Sequence, residues 1–135
     1  MEPILVIKKL LENRLLTLSP ALPTAFEGVY FTPPTTKYLR AVVNMRQPDD
    51  SVLGSSYYRE IISFNVYVVD QINIGTGGAI STAGAIRDLF QKGTAIVEDN
   101  VTIKIIETPQ IQGTSVASER LVVPVLISAI AEVVR

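Results

Sequence analysis

Residues 57–70 constrain this chain more than any other stretch. Tyr58, Ile62, Phe64, Val66 and Val68 fall on one side of an extended backbone, and Arg59, Ser63, Asn65 and Tyr67 on the other. A period of two sustained over 57–70 reads as a strand with one face in the core, the longest single strand candidate before the C-terminal segment. Residues 119–133 read as a final long strand. Pro124 has no N–H to donate, which predicts that this last strand lies at an edge or carries a bulge there.

Helical spacing frames these strands. Ile4, Ile7, Leu11, Leu15 and Leu18 recur every three or four residues, so 3–18 is expected to be an amphipathic helix, with Pro3 suited to its first position and Ser19-Pro20 to its stop. Residues 19–25 form a stiff connector. A short strand over 26–31, the turn Thr32-Pro33-Pro34-Thr35-Thr36 and a second strand over 38–45 predict a hairpin. After Gly75, Gly77 and Gly78 a second helix is expected over 79–91, with Ile80, Ala83, Ile86, Leu89 and Phe90 inward and Gly93 at its C-terminal cap. Residues 95–97 and 101–108 read as strands flanking the turn Glu98-Asp99-Asn100. Loops are expected over 46–56, longer than a hairpin needs, and over 109–118. The order α, β, β, β, α, β, β predicts an α+β fold over 1–135. Its single domain would hold a mostly antiparallel mixed β-sheet of about five strands, with two main helices on one face.

The available chemistry is narrow. Among 135 residues there is neither Cys nor His, which excludes thiolate or imidazole metal sites, a cysteine nucleophile, a Ser-His-Asp triad and a histidine proton shuttle. No Ser-x-x-Lys stands in for them. Asp49-Asp50 and Glu98-Asp99 sit among turn residues and read as solvated turns. The loop Ile74-Gly75-Thr76-Gly77-Gly78 offers a phosphate-binding alternative at a helix N-terminus, but the dinucleotide fingerprint lacks its third glycine and the P-loop its Gly-Lys-Ser/Thr. Catalytic residues, metal and cofactors are therefore all expected to be absent. A formal net charge of -1 supplies no general field for nucleic acid or anionic membrane. Arg40, Arg46, Arg59, Arg87 and Arg120 are dispersed along the sequence and interleaved with acids. The first residues lack the basic region of a secretory signal, and no apolar run reaches membrane-spanning length. These features favour an assembly or interaction module.

Val29-Tyr30-Phe31-Thr32-Pro33-Pro34 followed by Tyr38-Leu39-Arg40, then Phe64-Asn65-Val66-Tyr67-Val68, then Gly75 and Gly77 leading to Ala83, Ile86, Leu89-Phe90 and Gly93-Thr94, resembles the tail-terminator proteins of long-tailed bacteriophages. Thr108-Pro109-x-Ile111, Arg120 and Pro124-Val125-x-Ile127 are similar to that family's closing strand pair. One departure is Arg59-Glu60, where relatives place a glycine ahead of the central strand. The resemblance implies a small, non-catalytic virion subunit, made in the host cytoplasm. It implies a six-fold ring of copies on the head-proximal end of the tail tube, stopping polymerisation and presenting a surface to head-tail connector proteins. Contacts with tube subunits or connectors are then expected from the two loops, at Arg46, Asp49, Asp50, Ile111 and Gln112.

Overall fold

The computed structural model describes residues 2–46, 48 and 56–134. In chain order the elements are α1 (Pro3–Leu15), β1 (Thr24–Phe26), β2 (Tyr38–Met45), β3 (Tyr57–Gln71), α2 (Gly77–Leu89), β4 (Ala95–Glu98), β5 (Val101–Ile105), β6 (Gln110–Ile111), β7 (Ser115–Ala117) and β8 (Arg120–Val134). The spine is the antiparallel pair β3 and β8, matched residue for residue from Tyr57↔Val134 to Gln71↔Arg120. Strand order is β1-β2-β3-β8-β5-β4. The second side of β8 is shared in series by β7, β6 and β5.

The α+β class and the two helices on one face of the sheet are as expected, but the described residues hold an 8-stranded sheet, more than anticipated. Residues 109–118 are not simply a loop. They run beside β8 and add β6 and β7, too short for any periodicity to register in the sequence. The expected hairpin is also corrected. The first strand ends at Phe26, Gly28 turns the chain at φ 74, and β1 pairs with β2 in parallel, Thr24↔Leu39 to Phe26↔Ala41. Pro33 and Pro34 have no N–H for a ladder, so the segment before β2 runs as an irregular crossover.

Pro124 is neither on an edge strand nor replaced by a skipped register, since β8 is flanked on both sides and its pairing with β3 is continuous. The Gln112 N–H donates to the Pro124 carbonyl at 2.9 Å. In an antiparallel strand a residue's nitrogen and carbonyl point the same way, so the missing N–H faces the gap between β6 and β7. The proline therefore costs no bond to β3.

Alternation builds the core. Ile62, Phe64, Val66 and Val68 of β3 and Val123, Val125, Ile127, Ala129, Ala131 and Val133 of β8 are all buried on one face. Against it α2 sets Ala79, Ala83 and Ile86, followed by Phe90, whose ring meets Phe64 edge-on at 5.7 Å. From α1 come Val6, Ile7, Leu11 and Leu15. Ile4 and Ile80, expected inward, are exposed instead; the helices are rotated so that Val6 and Ala79 take the buried positions, the small Ala79 allowing α2 close to the sheet. The Arg14 guanidinium donates to the Leu89 carbonyl at 2.8 Å, tying the end of α1 to the end of α2. On the open side of β2, the Glu27 carboxylate accepts from the Val43 N–H at 2.8 Å, which blunts that edge.

One half-buried charge is poorly served. Glu12 Oε2 has no hydrogen-bond partner, and its ion pair with Lys8 spans 3.6 Å. Burial pushes the Glu12 carboxyl above the ordinary value of 4.5, Lys8 only partly offsetting this. The folded chain thus holds this proton to higher pH than the unfolded chain does. The associated stability is complete below pH 4.5 and lost as pH rises through the folded-state value. Glu12→Gln is expected to flatten that part of the profile, read from urea midpoints across the acid range; an unchanged slope would show that Glu12 is adequately solvated.

Candidate functional site

Strand parity buries one face of the sheet, and among the described residues no helix covers the other. Onto this second face β2 projects Tyr38, Arg40, Val42 and Asn44; β3 projects Arg59, Ile61, Ser63, Asn65, Tyr67 and Val69; and β8 projects Val122, Pro124, Leu126, Ser128, Ile130 and Glu132. Most are only half-buried, so the face mixes aliphatic, hydroxyl and cationic groups over the length of the spine. Such a surface on a small domain is suited to a protein partner.

The arginines dispersed in sequence converge here. Arg40, Arg59 and Arg120 share the parity of this face, Lys104 joins them from β5, and Arg46 lines a hollow of 260 Å³ with Ile61, Ser63, Glu107 and Ser128. Arg87, on α2, is the exception. Arg59 pairs with Glu132 at 3.7 Å; among the described residues Arg40, Arg46, Lys104 and Arg120 have no carboxylate within ion-pair distance.

At the upper end of the face, near the start of β8, lies a hollow of 290 Å³ with two guanidinium groups. Arg40 stacks over the Tyr67 ring at 5.0 Å and Arg120 over Tyr38 at 5.3 Å. Arg120 also donates to the carbonyls of Pro34, Thr35 and Thr36 at 3.1, 2.8 and 2.7 Å, holding the segment before β2 against the sheet. All of these partners are neutral, so the hollow keeps the charge of both arginines. Ser115, Ser118, Val69, Val122 and Pro124 complete its wall.

Of the residues expected at contacts, Arg46 is exposed just past the end of β2, its N–H donating to the Ile61 carbonyl at 2.9 Å. Asp49 and Asp50 lie outside the described residues. Ile111 pairs with Val125 and is half-buried against the core, while Gln112 beside it is exposed. Arg46 stands at the level of Ile61 and Ile111 at the level of Val66, with β3 and β8 between them, so these two are not brought together. The cationic face itself was missed in the sequence. Its only trace there was the odd and even spacing of arginines within strands.

Gly75, at φ 82, leads into α2, which begins at Gly77 and not at Ala79 as expected, so Gly77 and Gly78 belong to its first turn. Beside the helix start sit Asp70, buried at 4% exposure, and Lys37, whose Nζ donates to the Gly78 carbonyl at 3.2 Å and to Thr82 at 3.0 Å. Asp70 already places an internal anion at this helix terminus, which disfavours a second one from solution. Among the described residues no group of three acidic side chains is arranged to hold a metal ion.

No curated protein matches the chain. A solved structure of another protein, 23% identical over 100% of this chain and 97% of its own, superposes with a TM-score of 0.75, which establishes the same fold. The family model described as phage tail terminator protein matches residues 6–128. With that match running from α1 into β8, the chain belongs to the phage tail terminator family.

Proposed function

We propose that this protein caps the head-proximal end of a phage tail tube as a closed six-membered ring, stopping tube polymerisation and providing the surface for head-tail joining. The observation that carries this reading is family membership over residues 6–128. Its physical basis is a sheet face that no helix covers among the described residues. A ring closes when each copy contacts the next through two different patches and the rotation between them fits; its two ends then differ, so one can match the tube while the other refuses a further tube ring. Termination is steric, and no catalytic group takes part. Partners are other copies, tube subunits and head-tail connectors. The protein works in the virion, at the head-proximal end of the tail, after synthesis in the host cytoplasm.

The two segments expected at contacts serve different surfaces. Arg46 introduces the 46–56 connection near the start of β3, whereas Gln112 lies beside the first half of β8. We assign Arg46, Asp49 and Asp50 to one partner and Gln112, held by Ile111 against the core, to another.

Light scattering after size exclusion, with negative-stain images, is expected to show closed rings of wild-type protein alone or on purified tubes. In phage assembly, tails made without this protein should be overlong and fail to join heads. A chain whose residues 46–56 are replaced by a short Gly-Ser turn should fold yet leave that defect uncorrected. Tails of normal length made in the protein's absence would sink the terminator assignment.

A further inference from the structure

We propose that neighbouring copies are held together head to tail by a carboxylate of one, Asp99, entering the two-arginine hollow of the next, at Arg40 and Arg120. The proposal rests on the ring reading and names the surfaces that make the contact.

The fold leaves charges on its surface unmatched. The chain is almost neutral overall, yet five cations, Arg40, Arg46, Arg59, Lys104 and Arg120, gather on one sheet face, and of these Arg59 alone is paired among the described residues, with Glu132. A two-fold contact through that face would set cations against their own copies and would be repulsive. A head-to-tail contact sets them against a different surface. The same chain supplies one, since its remaining surface must carry the balancing acids. Self-complementarity of this kind favours the arrangement that rings require.

Among the described carboxylates Glu2, Asp99, Glu107 and Glu119 have no cationic partner within 4.0 Å, and Glu2 is taken up at the start of α1, where its Oε1 accepts from the Ile4 N–H at 3.4 Å. Glu107 lines the hollow beside Arg46, on the cationic side, and Glu119 follows Ser118 at the rim of the two-arginine hollow. Neither can approach that hollow from outside in a repeating contact. Asp99 can: it caps the turn between β4 and β5, at the opposite edge of the sheet from β2. The turn is held firmly. The Asn100 side chain donates to the Val134 carbonyl, the Val134 N–H returns a bond to the Asn100 carbonyl, and Glu98 pairs with Lys9 at 3.4 Å. Asp99 itself sits at φ 52, presenting an exposed carboxylate on a fixed support.

Separation of the two patches matches their use. Arg40 lies at the level of Tyr67 and Pro124, the Asp99 turn at the level of Val134. At roughly 3.3 Å per residue the levels are about 33 Å apart along β8, so the patches occupy different ends of one subunit, as a heterologous contact demands. The hollow suits a side chain better than a nucleic acid backbone, because Val69, Val122 and Pro124 line it and its stacked guanidinium groups offer planar N–H edges to a single carboxylate.

Charge reversal tests this directly. Arg40→Glu and Asp99→Arg should each reduce the protein to the mass of a single chain at concentrations where the wild type forms rings, with circular dichroism unchanged. An equal mixture of the two variants should regain ring mass, because alternating copies restore an opposite-charge pair at each contact. Either variant assembling alone, or folded variants that stay single when mixed, would overturn the proposal. A second measurement needs no closed ring. The chain has no cysteine, so Ser118→Cys and Val97→Cys, at the hollow rim and on the 66% exposed edge beside the turn, can be joined by a short bifunctional maleimide. Cross-linking in the mixture and in neither variant alone is expected. Cross-linked dimers without rings would overturn the ring reading and keep this contact. Rings without the cross-link would overturn this contact alone, and absence of both, in solution and on purified tubes, would overturn the two together.

Discussion

Phe64→Ala is expected to lower the unfolding free energy by about 3–5 kcal/mol, the usual cost of emptying a buried aromatic position. Phe64 is 0% exposed, stands in the middle of the longest strand pair and meets Phe90 of the α2 layer edge to face. Its removal loses transfer free energy and the ring contact together, and the flanking β-strands cannot collapse into the void without breaking register. Urea unfolding should show the loss as a lower midpoint with an unchanged slope, and Phe64→Leu should recover much of it. A fall below 1 kcal/mol would mean that the two layers are not packed through this ring. Since a domain of this size is typically stable by only about 5–15 kcal/mol, assembly of the alanine variant should fail through its folded fraction, not through its interface.

Lys37→Met should cost about 2–3 kcal/mol, for a different reason. Lys37 Nζ lies 4.0 Å from Asp70 Oδ2, whose side chain is 6% exposed, and also bonds the Gly78 carbonyl and Thr82. The other Asp70 oxygen accepts from the Gln71 N–H at 2.8 Å. Methionine keeps most of the lysine's length but leaves a buried carboxylate without its cation. Asp70→Asn in the Lys37→Met background is therefore expected to restore part of the loss, a sign that uncompensated charge caused it. If the second change adds a further full penalty, the lysine acts mainly by bonding Gly78 and Thr82.

Much of this fold was legible because its signals are local. The alternation from Ile62 to Val68 survives intact as the buried side of β3, with Tyr58 partly buried in line with it, and the four-residue spacing of Ile7, Leu11 and Leu15 as the buried stripe of α1. Elements shorter than one period were not legible. The strands at 110–111 and 115–117 arise from what β8 leaves unpaired, and the parallel docking of Thr24–Phe26 depends on where Arg120 holds residues 34–36. Pro124 misled for a related reason. A proline disrupts a ladder only when its nitrogen faces a partner, and which way it faces is decided by register.

By itself the sequence determined the layered α+β architecture, the two helices and the absence of histidine and cysteine chemistry, because composition and periodicity act along the chain. Tertiary structure alone decided the candidate site. Arg40, Arg59 and Arg120 are far apart in sequence, and no local pattern relates their positions. Pairing of β2, β3 and β8 at one register sends all three to the same side of the sheet, and a shift of one residue in any strand would have sent its arginine to the core.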